Sequence, residues 1–186
     1  MPKESDILHT AEQVSALLAK SGIPSFVIGA VALAAHRYIR FTQDLDLAVD
    51  ADVELMRKIT SDLYLAGYEA VFYEPDATDP LGGVIDISGA FGLVQIISFS
   101  DRFPIVIHES LAEREIFMHS GSSLRVMPIP QLIALKLYAG GHKAKSDIIE
   151  LLKRNPGYDR AEITQTMKRY RLRGIAAIWK EMDLLA

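Results

Sequence analysis

The sequence predicts an α/β (α+β) fold: a small mixed sheet flanked by helices, followed by a C-terminal helical segment. Three observations predict it. Residues 1–127 alternate helix-period and strand-like apolar runs. Two strand-like runs are separated by Gly89-Ala90-Phe91-Gly92, a hairpin signal. Beyond Pro128 the chain reads as helix after helix. The composition shift near Pro128 is the candidate boundary, dividing a 1–127 α/β domain from a 128–186 helical segment packed on it.

Each element has its own warrant. From Asp6 to Lys20 the apolar positions Ile7, Leu8, Ala11, Val14, Leu17 and Leu18 have helical spacing, and Gly22 and Pro24 end the run. Ser25–Ile28 is a short apolar run opening onto Gly29 and reads as a buried strand. The Ala-rich 30–39 stretch reads as a helix, and Leu45–Val49 as a strand with Asp44 and Asp46 at its start. Asp50 is a candidate cap for a helix running to Ala66, striped by Leu55, Ile59 and Leu63 and stopped by Gly67. Tyr68–Tyr73 reads as a strand and 74–83, rich in proline and glycine, as a loop. Val84–Ser88 and Leu93–Phe99 form the hairpin. Short strands are expected at 116–118 and 124–127, then helices at 132–139, 146–153, 160–170 and 174–184, with Gly140-Gly141 as a break.

Composition narrows the function classes. With 49% apolar and 24% charged residues in 186, a substantial core is available. The net charge of −4 gives no electrostatic case for wrapping nucleic acid. The absence of cysteine excludes disulfides, zinc–thiolate sites and a cysteine nucleophile. The polar, acid-bearing N-terminus is unlike a signal peptide. No apolar stretch approaches the ~20 residues of a membrane helix. A soluble cytoplasmic protein is expected. The histidines at 9, 36, 108, 119 and 142 show no metal-ligand spacing, and no Walker-type loop or Gly-x-Ser-x-Gly elbow occurs. The basic cluster of Lys168, Arg169, Arg171 and Arg173 reads as a solvated face, with contact to RNA or an acidic partner as the alternative.

The informative stretch is Phe26–Asp50, FVIGAVALAAHRYIRFTQDLDLAVD. Gly29 permits a sharp turn and close approach of a ligand, and a helix starting at Ala30 turns its first N–H groups, which favour phosphate, toward that turn. Asp44 and Asp46, two apart on a strand, point to one face, while Leu45 and Leu47 point into the core. Two carboxylates on one polar face suit a hard cation such as Mg²⁺; a pair of solvated surface acids is the bland alternative. Thr42 alternates in phase with Asp44. Arg40 is placed to hold a phosphate, to pair with a site carboxylate, or to form a surface ion pair. If 89–92 is a tight symmetric turn, Asp86 lies opposite Gln95, ~5 Å away at Cβ on the same face. A one-residue slip would turn Asp86 away.

Gly29-Ala30 followed by Arg40-x-Thr42-x-Asp44-x-Asp46 resembles the signature of the nucleotidyltransferase superfamily, in particular small prokaryotic members related to abortive-infection-type toxins. Pro130–Gly140, containing Lys136, and Lys145–Leu152, containing Asp147, are similar to that group's C-terminal helical motif. The resemblance spans residues 20–153. It implies the nucleotidyltransferase fold, with Asp44 and Asp46 as ligands for two Mg²⁺ ions and Gly29 and the helix after it as the triphosphate cradle. It also implies Lys136 as a phosphate contact and Asp147 as an orienting or substrate-contacting group. On the residues alone, Lys136 is equally readable as a solvated helix lysine and Asp147 as an acid favoured at a helix N-terminus.

Two positions depart from the family's pattern. Ala30 stands where a serine hydroxyl is frequent. Gln95 stands where active members carry a third carboxylate, and an amide is no general base and a poorer magnesium ligand. Asp86, in the register above, is placed to supply the missing carboxylate. The reading is a Mg²⁺-dependent, nucleotide-binding transferase acting on a nucleoside triphosphate such as ATP, with RNA, a protein or a small molecule as acceptor. The alternatives are a catalytically degenerate binding module of the same fold and the toxin of a toxin–antitoxin pair, with an antitoxin as partner.

Overall fold

The structure, a computed structural model, describes residues 4–184. Phe26–Val27 (β1), Asp44–Val49 (β2), Glu69–Tyr73 (β3), Val84–Gly89 (β4) and Gly92–Ser98 (β5) form one mixed sheet in the order β1-β2-β5-β4-β3. β2 runs parallel to β5; the other neighbours are antiparallel. The helices are Glu4–Lys20 (α1), Gly29–Ala35 (α2), Val53–Leu65 (α3), Ile105–Ala112 (α4), Ile129–Ala139 (α5), Gly141–Arg154 (α6), Arg160–Arg169 (α7) and Ile175–Leu184 (α8).

Strand alternation gives the sheet two unlike faces. Leu45, Leu47, Ile85, Ile87, Val94 and Ile96 share one face and are completely buried. The helices packing on the sheet supply Val14 and Leu18 from α1 and Met56, Ile59 and Leu63 from α3 to the same core. Each such side chain contributes roughly 1.5–3 kcal/mol. The opposite face carries Asp44, Asp46, Gln95 and Asp86, and is only partly covered.

Several boundaries differ from expectation for identifiable reasons. α2 ends at Ala35 rather than Ile39. Arg37 adopts a left-handed conformation (φ 69°), with Arg37 N–H bonding to Ala34 O at 3.0 Å and Tyr38 N–H to Leu33 O at 2.8 Å, a Schellman closure. Residues 38–43 are thereby released as a loop. Asp52, not Asp50, caps α3 by accepting from Leu55 N–H at 2.8 Å; Asp50 instead contacts His108 Nε2 at 2.6 Å. The inner stripe of α3 includes Met56 rather than Leu55. The strands expected at 116–118 and 124–127 reduce to two isolated bridges, Val27 to Val126 and Phe117 to Arg125. α5 begins at Ile129 and α6 at Gly141, so Asp147 lies in the middle of its helix rather than in the first turn. The short helix α4, IVIHESLA, has no sequence-level expectation behind it, because its apolar residues are bunched at 105–107 and 111–112 around His108-Glu109-Ser110 and show no helical period.

Candidate active site

The site forms where the β1–α2 turn crosses the start of β2. Ile28 N–H bonds to Asp46 O at 2.9 Å, which lays the turn over the strand. Gly29 follows at φ 66°. A Cβ there would overlap Asp46 Oδ2 and lie 3.1 Å from its Cγ, so glycine is required both for the backbone angle and for the contact. Ala30, the next residue of α2, is buried and adds no donor of its own. Asp44 and Asp46 share the open face. Asp44 accepts a hydrogen bond from the Thr42 hydroxyl. Thr42 lies in the loop before β2, so this bond, rather than strand alternation, brings it to the site.

Asp46 is electrostatically strained. Burial first, then repulsion from Asp44, raises its pKa to about 6, against the opposing pull of Lys136 and Arg40. Those cations belong to a second cluster. Asp147 is 2% exposed. It accepts from Lys136 Nζ at 2.7 Å and lies 3.6 Å from Arg40 Nε, an atom that is buried without a hydrogen bond of its own. Neither plain alternative holds: Lys136 is not a solvated lysine, and Asp147 is not held by a helix end. The Gly140-Gly141 break (φ 70° and 84°) lets α5 and α6 turn so that the two side chains meet.

Gln95 sits between the acids. Cross-strand pairing places Asp46, Gln95 and Asp86 in one row over β2, β5 and β4. Gln95 Nε2 donates to Asp86 Oδ1 at 2.7 Å. A carboxylate only accepts, so the amide nitrogen must face Asp86, which leaves the oxygen as the remaining ligand atom of Gln95. Two strand spacings put Asp86 about 9–10 Å from Asp46 along the row. Among the described residues, no group of three or more His, Cys, Asp or Glu is placed to hold a metal ion. Asp44 and Asp46 together still offer a hard, anionic oxygen pair. This suits Mg²⁺, which binds through one or two carboxylates and keeps several waters, and the raised pKa of Asp46 marks negative charge that a cation would offset.

The row continues beyond the residues that the sequence singles out. Val71 of β3 pairs with Asp86, which adds Glu69, Val71 and Tyr73 to the open face. No tight turn fixes that register, since residues 74–83 intervene, and the sequence offers no signal for it. Arg169 is paired with Glu109 at 2.5 Å, so the basic cluster is partly neutralised within the molecule.

No family model matches the chain, and no curated protein matches it. Solved structures do. The crystal structure of ANT(2'')-Ia in complex with adenylyl-2''-tobramycin is similar at a TM-score of 0.58 and 14% identity, over 88% of this chain and 96% of that one. The solution structure of the antibiotic-resistance factor ANT(2'')-Ia is similar at 0.58 and 13%, over 91% and 93%. An antigenic nucleotidyltransferase-like protein from Paracoccidioides brasiliensis is similar at 0.54 and 15%, over 83% and 78%. The chain has the nucleotidyltransferase fold. At these identities the likeness is one of fold, and the site must be argued from its own residues. Within the fold, Gly29, Asp44, Asp46 and Gln95 come together on one sheet face, with Arg40, Lys136 and Asp147 electrostatically coupled to Asp46. Asp86 joins through Gln95 alone. No helix among the described residues is long and apolar enough to cross a membrane.

Proposed function

We propose that this chain transfers a nucleoside monophosphate from a nucleoside triphosphate to an acceptor hydroxyl. The observation that carries the reading is the seating of Gly29 directly on Asp46, beside Asp44. It joins a turn stripped of side chain to a carboxylate pair, as a bound triphosphate and its cation require. Mg²⁺ held by Asp44 and Asp46 would neutralise phosphate charge during the transfer.

The chain's own groups do the rest. The β1–α2 turn admits the phosphates close to the backbone. Lys136 and Arg40, held by the buried Asp147, supply positive charge that acts on Asp46. The acceptor oxygen attacks the α-phosphorus in line, an O–P bond forms, the α–β bridging bond breaks, and pyrophosphate leaves. The hydroxyl proton goes to water backed by Asp86, whose Oδ1 accepts from Gln95. Gln95 cannot take it. A second reading, nucleotide binding without turnover, is favoured by that same amide in the central position.

Calorimetric titration with each of the four triphosphates, with and without Mg²⁺, tests the proposal. Metal-dependent binding that is lost in Asp44→Asn/Asp46→Asn is expected. Asp86→Asn should keep the binding and slow turnover by about a hundredfold, the low end for a general base. Absence of triphosphate binding overturns the reading. Binding with no product from any acceptor, restored by Gln95→Glu, favours the binding module.

A further inference from the structure

We infer that the edge strand β3 is the interface of a symmetric dimer, in which β3 of a second copy of this chain pairs with it antiparallel and the two sheets become one. This does not rest on the nucleotidyl-transfer reading. β3 has β4 on one side and, among the described residues, no strand on the other. The hairpin assigns its outer backbone groups. A two-residue turn makes Gly89 and Gly92 a hydrogen-bonded pair, so Ile87 and Ile85 bond to β5, while Ser88, Asp86 and Val84 bond to β3. Glu69, Val71 and Tyr73 are thus satisfied by β4, and the N–H and C=O groups of Ala70 and Phe72 point outward. No other backbone group among the described residues reaches them. Such an edge is commonly blunted by proline, lysine or a bulge. β3 pairs with β4 without interruption over five residues, and none of the five is proline or lysine.

The same five residues fit a second copy of themselves. Full antiparallel overlap, with Ala70 and Phe72 as the bonded positions, puts the two-fold axis at Val71. Ala70 then faces the second copy's Phe72, small against large. Glu69 faces the second copy's Tyr73, whose hydroxyl can donate to the carboxylate. Val71 meets itself, and no like charges are opposed. Val71 and Tyr73, 54% and 56% exposed, are covered on pairing. α3 widens the surface. It packs on β3 and runs back along it, with Arg57 bound to Glu74 by two 2.8 Å hydrogen bonds toward one end. Tyr64 and Leu65, 74% and 83% exposed, lie at the other. Antiparallel pairing sets the apolar end of each copy level with the charged end of its neighbour. An edge of five residues is roughly 17 Å long; with the end of α3 it makes an interface of less than about 800 Å² per partner, which suits a reversible dimer. One patch serves both copies, so association closes at two. The Asp46–Gln95–Asp86–Val71 row runs through the axis into the second copy, and both carboxylate pairs open on the same face.

Sedimentation velocity of the full chain across the micromolar range tests the inference. The sedimentation coefficient is expected to rise with concentration. Val71→Lys, at an exposed position, should hold it at the monomer value by opposing two ammonium groups on the axis, with circular dichroism to check that the variant folds. Cross-linking reads the register, and a chain without cysteine makes it specific. Val71→Cys sets two thiols across a pair whose Cα atoms are about 4.5 Å apart, within reach of a disulfide. Tyr73→Cys does not, since Glu69 is opposite it. On oxidation with diamide, Val71→Cys should form covalent dimer at least tenfold faster than Tyr73→Cys; if Val71→Lys does not fold, this ratio decides alone. A sedimentation coefficient that stays constant overturns the inference and leaves the edge to a strand from another protein. A dimer untouched by Val71→Lys, or equal cross-linking at 71 and 73, overturns it as well.

Discussion

Asp46 and Gly29 are bound together by one contact, and each has a measurable consequence. A carboxyl whose folded pKa is raised from 3.8 to about 6 holds its proton more tightly in the folded state. Its contribution to stability is therefore full below about pH 4 and lost as pH rises through 6. Above that, ionised Asp46 costs about 3 kcal/mol relative to the unfolded chain. In metal-free buffer Asp46→Asn should unfold at higher temperature than the parent at pH 7, by several degrees. The difference should shrink to nothing near pH 4. Thermal melts across that range decide it; an Asn variant no more stable at pH 7 would mean that Asp46 is not under this strain. Gly29→Ala tests the other side. A β-carbon forced into a left-handed angle against Asp46 Oδ2 must push the carboxylate away. Loss of about 1–3 kcal/mol is expected from backbone strain, together with loss of Mg²⁺-dependent triphosphate binding.

At the scale of elements, α5 and α6 are fastened by a charge rather than by a cap. Asp147 is buried, and its carboxylate is paired with Lys136 and, at longer range, Arg40. Lys136→Ala leaves a buried carboxylate with one distant partner and should cost about 3–5 kcal/mol, the usual penalty for breaking a buried pair. Lys136→Ala/Asp147→Ala removes both charges and should recover a good part of that loss. If the double variant is no more stable than the single one by denaturant titration, the pair is not what holds the helices. This scale also shows what was legible in sequence. The β4–β5 register could be read because the turn is tight, with Gly89 paired to Gly92, and Asp86 falls opposite Gln95 as expected. The carboxylate pair could be read because alternation along a strand is a rigid rule. The Lys136–Asp147 bond could not, because it depends on the angle at two glycines. α4 could not, because its apolar residues fall in two bunches on either side of His108-Glu109-Ser110 and carry no helical period.

For the whole molecule, the relation of the first 127 residues to the remainder bears directly on the site. The sequence marks a boundary at Pro128, yet one hydrophobic cluster includes Val27, Leu33 and Leu45 as well as Leu132, Ile148 and Ile178. The end of α2 is tied to the last residue before that boundary and, across it, to α6's C-cap residue Asn155. His36 Nε2 contacts Met127 O at 2.8 Å, and Asn155 Nδ2 donates to His36 O at 2.8 Å and to Leu151 O at 2.8 Å. Those ties hold the helix that starts at Gly29, so the helical half also steadies the β1–α2 turn. Burial lowers the pKa of His36, against its bond to Met127 O, which keeps the ring neutral in the fold. Its contribution is present above the ordinary value of 6.5 and is lost as pH falls below it, the opposite sense to Asp46. Unfolding followed separately by the fluorescence of Trp179 in α8 and by far-ultraviolet dichroism should therefore trace a single transition. Asn155→Ala should lower that transition as a whole. Two lost hydrogen bonds, each worth about 0.5–1.5 kcal/mol, amount to several degrees for a chain of this length. Two separated transitions, with Asn155→Ala moving only the one seen by Trp179, would show that the halves fold independently. The β1–α2 turn would then owe its geometry to the sheet alone.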